Sequence, residues 1–165
     1  MIAGLGVDIV EIERMRVALE RHPRMRERCF SEEERAYCDS RNRPAVHYAL
    51  RFAAKEAVLK ALGTGFAGMR FRDVEVVRDR TGRPTPRLSG RAAAVAAEAG
   101  VVELHVSLSY THTNAVASAV AIAADPEGPT PGALSPQERI AATFKEMRSV
   151  LDEVGDEPEE DVEGR

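Results

Sequence analysis

The stretch from Pro44 to Gly63 constrains this chain more than any other. Within it Val46, Leu50, Ala54, Ala57, Val58 and Ala61 recur at three- and four-residue steps, so a helix gathers them into one apolar stripe. Pro44 suits a first helical turn, where no N–H is needed, and Gly63 and Gly65 stop the pattern. A stripe of this length has to be covered, and the remaining segments must supply the cover. Residues 2–9 read as a short buried strand with Gly4 and Gly6 inside it and Asp8 near its end. Residues 71–77 read as a strand, DRTG at 79–82 as a turn, and RPTPRL at 83–88 as an edge strand that tolerates proline. Two further strands are expected over 101–109 and 115–123, the second ambiguous with a helix because of its alanines. Smaller helices complete the set. Ile12, Met15 and Leu19 mark one helical face within 11–28 until Pro23 breaks it, and Ser31 with Glu34 forms a capping box. Ser89 is placed to cap a helix over 91–99 that ends at Gly100.

The 165 residues, 44% of them hydrophobic, suffice for one domain with a real core and are too few for two. The expected boundary falls at 124. Residues 125–165 open on the linker DPEGPTPG and hold 12 acidic against 4 basic side chains, which leaves residues 1–124 at +4. Within that tail Ile140, Phe144, Met147, Leu151 and Val154 predict one short amphipathic helix, followed by an acidic, disordered end. A body at +4 with no run of four Lys or Arg, no Trp and 5 Phe gives no case for nucleic-acid binding. The charge-free stretch 104–124 is polar in its first half, so no membrane span is expected. Cys29 and Cys38 lack any metal-site spacing and read as reduced thiols of a cytoplasmic protein.

The chemistry concentrates in 51–60, RFAAKEAVLK. Helical spacing sets Phe52, Glu56 and Lys60 on one face and Arg51 and Lys55 on the next. The plain reading is a solvated face with a Glu56–Lys60 ion pair worth about 0.3–0.5 kcal/mol. Asp8 has a plain reading too, as a helix cap or an arginine partner. Taken together, Asp8 and Glu56 offer two hard oxygen ligands, which is how Mg²⁺ is held when phosphates and water complete its shell. Arg51, Lys55 and Lys60 would then neutralise those phosphates, and the glycines after the helix would let a ligand approach the backbone. These are the parts that phosphoryl-type transfer requires.

Three segments in order carry a family likeness: GVDIVEIER at 6–14, RFAAKEAVLKALGTG at 51–65 and HVSLS at 105–109. They resemble the 4′-phosphopantetheinyl transferases of the bacterial trimeric holo-acyl-carrier-protein synthase type, over about residues 1–124. The resemblance implies an α+β fold with an antiparallel sheet wrapped around the long central helix, and a homotrimer with active sites at the subunit interfaces. It implies transfer of phosphopantetheine from coenzyme A, the co-substrate, to a serine of apo-acyl carrier protein, with Mg²⁺ as cofactor. By the same resemblance Asp8 and Glu56 hold the metal and Lys60 contacts the pyrophosphate, these three being the catalytic set. Gly63 and His105 lie near the nucleotide, and Arg14, Arg21, Arg24 and Arg28 meet the acidic carrier, unless they pair with Glu11, Glu13, Glu20 and Glu27. One departure is visible: the third motif commonly continues Ser-His-Thr, whereas this chain has Ser109-Tyr110-Thr111-His112-Thr113. His112 would fall on the face of Tyr110 if the strand continued. The alternatives are a non-catalytic nucleotide- or carrier-binding module of the same descent, and a chain whose tail helix serves as an adaptor.

Overall fold

A computed structural model describes residues 1–63 and 68–124. The expectations for Gly65 and for the tail, its linker, helix and acidic end, lie outside these residues. The element order is β1 (Ile2–Glu11), α1 (Ile12–Arg21), α2 (Arg24–Cys29), α3 (Glu32–Asp39), α4 (Pro44–Ala61), a single 3₁₀ turn (Phe71–Asp73), β2 (Val74–Arg78), β3 (Pro84–Leu88), α5 (Gly90–Glu98), β4 (Val101–Tyr110) and β5 (Asn114–Ala123). The strands form two antiparallel sheets, β1-β5-β4 and β2-β3. Helix α4 packs on β1, β4, β5 and β2 and also touches α1 and α3, so it is the element around which the others close.

Residues 114–123 are a strand because their burial alternates with period two: Ala115, Ala117, Ala119 and Ala121 are buried, and the residues between them are less so. Small side chains on that face let the sheet lie close to α4. The closest approach is made by β1. A Cβ on Gly4 would stand 1.9 Å from the Ala61 carbonyl oxygen, and one on Gly6 would stand 1.9 Å from that of Ala57. Only glycine permits that approach, and it brings Asp8, two residues beyond Gly6, onto the side of α4. Leu104, Val106 and Leu108 of β4 pack against the same core. A second cluster joins Ile12, Met15, Leu19, Phe30 and Cys38 to the first half of α4, with Phe30 edge-on to Tyr48 at 4.9 Å.

The expected buried strand over 2–9 is buried on one face only. Leu5, Val7 and Ile9 are 65%, 48% and 62% exposed, because their face of the sheet turns away from α4. Residues 71–73 are a 3₁₀ turn rather than the start of a strand, since the Asp73 carboxylate accepts from the Arg70 N–H at 3.0 Å while the Asp73 N–H donates to the Arg70 carbonyl at 2.9 Å. Pro23 divides the first helical segment into α1 and α2. The Ser31–Glu34 capping box forms in full, whereas Ser89 stands at the N-cap of α5 without a side-chain cap bond.

Candidate active site

Asp8 enters from β1, and Glu56 and Lys60 from successive turns of α4. The Lys60 ammonium donates to Asp8 Oδ1 at 2.7 Å and to the Val7 carbonyl at 3.0 Å. The Asp8 side chain is 12% exposed and that of Lys60 is 49% exposed. The exposed Glu56–Lys60 pair considered from spacing is therefore replaced: Lys60 reaches across to β1. Glu56 lies within hydrogen-bonding reach of Asp8, and its carboxyl is pushed above the usual carboxylate range, first by burial and then by the Asp8 charge, with Lys60 acting the other way. Two carboxylates thus meet beside one ammonium, which bonds to Asp8 alone, and this leaves a local surplus of negative charge. That surplus is the test of whether a cation fits. Among the described residues no set of three or more ligating side chains gathers, so the donors on offer are two hard carboxylates, the set that suits Mg²⁺ rather than a zinc cage.

Two of the three cations assigned to phosphates by helical spacing do not serve there. Lys55 is fully buried and pairs with Glu34 at 2.8 Å. Arg51 is 5% exposed, with its guanidinium over the Tyr37 ring at 3.9 Å. Lys60 remains. Spacing identifies the faces of a helix but not which face the rest of the fold covers, and here α3 and the 3₁₀ turn cover that of Lys55.

Gly63 follows Lys60 by less than one turn with φ at 74°, and no heavy atom lies within 4 Å of where its Cβ would stand. Its backbone is open to an approaching ligand. His105 is not brought to this group. It pairs with Val120, which pairs with Leu5, so it belongs to the face of the three-stranded sheet opposite to that carrying Gly4, Gly6 and Asp8. There it lines a cleft of about 530 Å³ with Pro84, Thr85 and Pro86. Sequence reasoning did not single out these β3 residues, since only tertiary packing sets the β2-β3 hairpin beside β4. Arg14, Arg21, Arg24 and Arg28 are exposed. The competing pairing with neighbouring glutamates falls to Arg16, which binds both Glu13 and Glu20 at 2.5 Å. Among the described residues the four arginines make no ion pair. Tyr110 ends β4, and Thr111–Asn114 close a turn, so the strand does not continue and His112 does not fall in register with Tyr110.

The comparisons with known proteins decide the family. Residues 4–121 match the model of the 4′-phosphopantetheinyl transferase superfamily. The chain belongs to that superfamily. Among curated relatives of this transferase family, the holo-[acyl-carrier-protein] synthase of Moorella thermoacetica is 49% identical over 115 residues, covering 70% of this chain and 90% of that one. That of Alkaliphilus metalliredigens is 46% identical over 122 residues, covering 73% and 99%. A holo-(acyl-carrier-protein) synthase crystal structure from Bacillus anthracis, in complex with CoA (3′,5′-ADP), matches with a TM-score of 0.62 at 34% identity, covering 75% of this chain and 99% of that one. One from Neisseria meningitidis matches with a TM-score of 0.67 at 31% identity, covering 74% and 99%. The α+β fold of antiparallel sheets about a central helix is that of these transferases.

Proposed function

We propose that this transferase moves the 4′-phosphopantetheine group of coenzyme A onto a serine hydroxyl of apo-acyl carrier protein and releases adenosine 3′,5′-bisphosphate. The observation that carries the reading is the meeting of Asp8, Glu56 and Lys60 on the β1–α4 seam, two carboxylates with one ammonium beside an open glycine backbone. In this reaction the serine oxygen bonds to the β-phosphorus while the bond from that phosphorus to the bridging oxygen breaks, and the adenosine bisphosphate leaves with the electron pair. Negative charge moves toward the leaving phosphate, so a fixed cation at that position lowers the barrier. Lys60 supplies it, held in place by Asp8 and the Val7 carbonyl. Asp8 and Glu56 are the residues that would hold Mg²⁺, whose chemistry when bound is to neutralise and orient the pyrophosphate. We assign Glu56, its proton affinity raised by burial and by Asp8, to help take up the serine proton.

The remaining residues follow from their positions. Gly63 and His105 are assigned to the nucleotide. His105 stands across the sheet from Asp8, and in the assembly we assign a second copy brings its His105 face to the first copy's carboxylates. The apolar strip Leu5, Val7 and Ile9 on the same face as His105 supports such an assembly, and we assign it as a homotrimer with sites between subunits. Arg14, Arg21, Arg24 and Arg28 are exposed and make no ion pair among the described residues, a positive charge suited to an acidic carrier. Free thiols at Cys29 and Cys38 suit a cytoplasmic setting. The test is a mass measurement of apo-carrier incubated with coenzyme A, Mg²⁺ and the protein. The wild type should add phosphopantetheine, and Asp8→Ala or Glu56→Ala should abolish the Mg²⁺-dependent addition. A carrier left unmodified by the wild type would mean a binding module without transfer.

A further inference from the structure

Glu34 and Lys55 form the most deeply buried charge pair among the described residues, and it lies one residue from the carboxylate site. Both side chains are wholly covered, with the ammonium 2.8 Å from Glu34 Oε2. The other Lys55 donors reach the Phe71 carbonyl at 3.1 Å and the Val74 carbonyl. Glu34 in turn accepts from the Ser31 N–H at 2.9 Å and the Val76 N–H at 2.9 Å. Four segments therefore converge on one pair: the start of α3, α4, the 3₁₀ turn and β2. Around it Phe52 stacks on Phe71 at 4.6 Å. Neither side chain of the pair touches solvent, so Lys55 cannot bind a phosphate.

What the pair determines is the rotation of α4 about its own axis. Neighbouring helical residues point about 100° apart, so whatever holds Lys55 against α3 and β2 also sets the direction of Glu56. On the far side, the Gly4 and Gly6 backbones lie on the Ala61 and Ala57 carbonyls and fix how near β1 comes. Glu56 meets Asp8 where these two constraints cross. We propose that the buried Glu34–Lys55 pair is a positioning device for the metal-binding carboxylates, setting the separation of Glu56 from Asp8 and with it the affinity for the divalent cation. The inference rests on the transferase reading of that site. Charge pairs buried in this way add little net stability over apolar replacements of the same shape, which leaves orientation as the physical reason to keep one.

The experiment follows Mn²⁺ binding to the full chain, with coenzyme A present, by electron paramagnetic resonance. The variants are Glu34→Gln, Lys55→Met and the pair together, which buries no unpaired charge. Val58→Ala, a fully buried α4 residue with no polar role, serves as the reference for loss of stability alone. In the folded fraction the Glu34 and Lys55 variants should bind Mn²⁺ about 10-fold more weakly, the lower end of the effect of removing groups that orient metal ligands. Val58→Ala should leave Mn²⁺ affinity within twofold while lowering the melting temperature, and coenzyme A affinity measured in chelator should stay unchanged in all variants. If the double variant folds and binds Mn²⁺ like the wild type, or if it does not fold at all, the pair serves the fold rather than the site and the inference is overturned. If the wild type and Asp8→Ala bind Mn²⁺ equally, the metal site itself is lost, and the inference falls with it.

Discussion

Lys55 and Lys60 stand five residues apart on α4, in opposite circumstances. Lys55 has its charge matched by one buried carboxylate and its remaining donors matched by two carbonyls, with both partners of the ion pair out of reach of water. Lys60 is half exposed and pairs with Asp8 alone, beside a second carboxylate, Glu56, whose proton affinity is raised. A buried charge has to be complete, because an unpaired one costs several kcal/mol. A set at the surface can stay incomplete, because water tolerates it until a cation or a phosphate arrives. On this helix the complete set shapes the fold, and the incomplete set is where the chemistry is assigned.

The largest expected effect breaks the contrast on stability. Lys55→Met removes the partner of a buried carboxylate and should cost about 3–5 kcal/mol, read from urea denaturation. Glu56→Gln removes one of two repelling carboxylates and should change stability by less than about 0.5 kcal/mol, or raise it. Equal losses would mean that the surface set is as structural as the buried one.

The difference between the two lysines was not legible in the sequence, although much around them was. Helix α4 announced itself through Pro44, its stripe and Gly63, and the capping box named Ser31 and Glu34 as the start of α3. The same box hid the second role of Glu34, since a carboxylate that caps its own helix gives no sign that it also reaches a lysine on another. Arg51 and Lys55 were read as phosphate partners because periodicity fixes relative direction only. Asp8 and Glu56 were joined by ligand chemistry and by the family motifs, not by spacing, as 48 residues separate them. The strand over 2–9 is apolar on both faces, and apolarity does not say which of the two the helix covers. The 3₁₀ turn at Phe71–Asp73 was missed for a similar reason, a short apolar run being open to either period.

The next effect sharpens the comparison on the reaction. Lys60→Ala should lower kcat/KM with coenzyme A by about 2–3 kcal/mol in transition-state free energy, the scale of one preorganised charge contact, with the fold intact. A loss confined to carrier affinity would move Lys60 to the other substrate. Smaller again is the effect expected on α1, where exposed Arg14 makes no ion pair among the described residues. Arg14→Glu should raise the apparent KM for carrier about fivefold at low salt and leave that for coenzyme A unchanged, with the difference shrinking as salt is added. Equal changes for both substrates would indicate a folding defect.

The smallest effect comes from the N-terminal half of α4, where charge is unbalanced in the positive sense. Arg41, Arg51 and Arg78 gather over Tyr37 at 4.2, 3.9 and 5.1 Å, and His47 meets the edge of the same ring at 5.6 Å. Partial burial, followed by the three arginines, pushes the His47 imidazole below its ordinary range. The sign then follows from proton counting. Between the depressed folded value and the ordinary unfolded value of about 6.5, the unfolded chain binds the proton more readily, so stability rises with pH. The contribution is whole above the unfolded value and is lost as pH falls through the folded one. His47→Gln should therefore flatten the loss of stability on acidification from about pH 7 to pH 5, measured as the difference between variant and wild-type urea midpoints at each pH. Parallel curves would show that water screens the arginines from His47. A partly covered cluster of one sign would then cost the fold nothing, and the buried Lys55 pair would stand alone on α4 as a charge whose balance the structure requires.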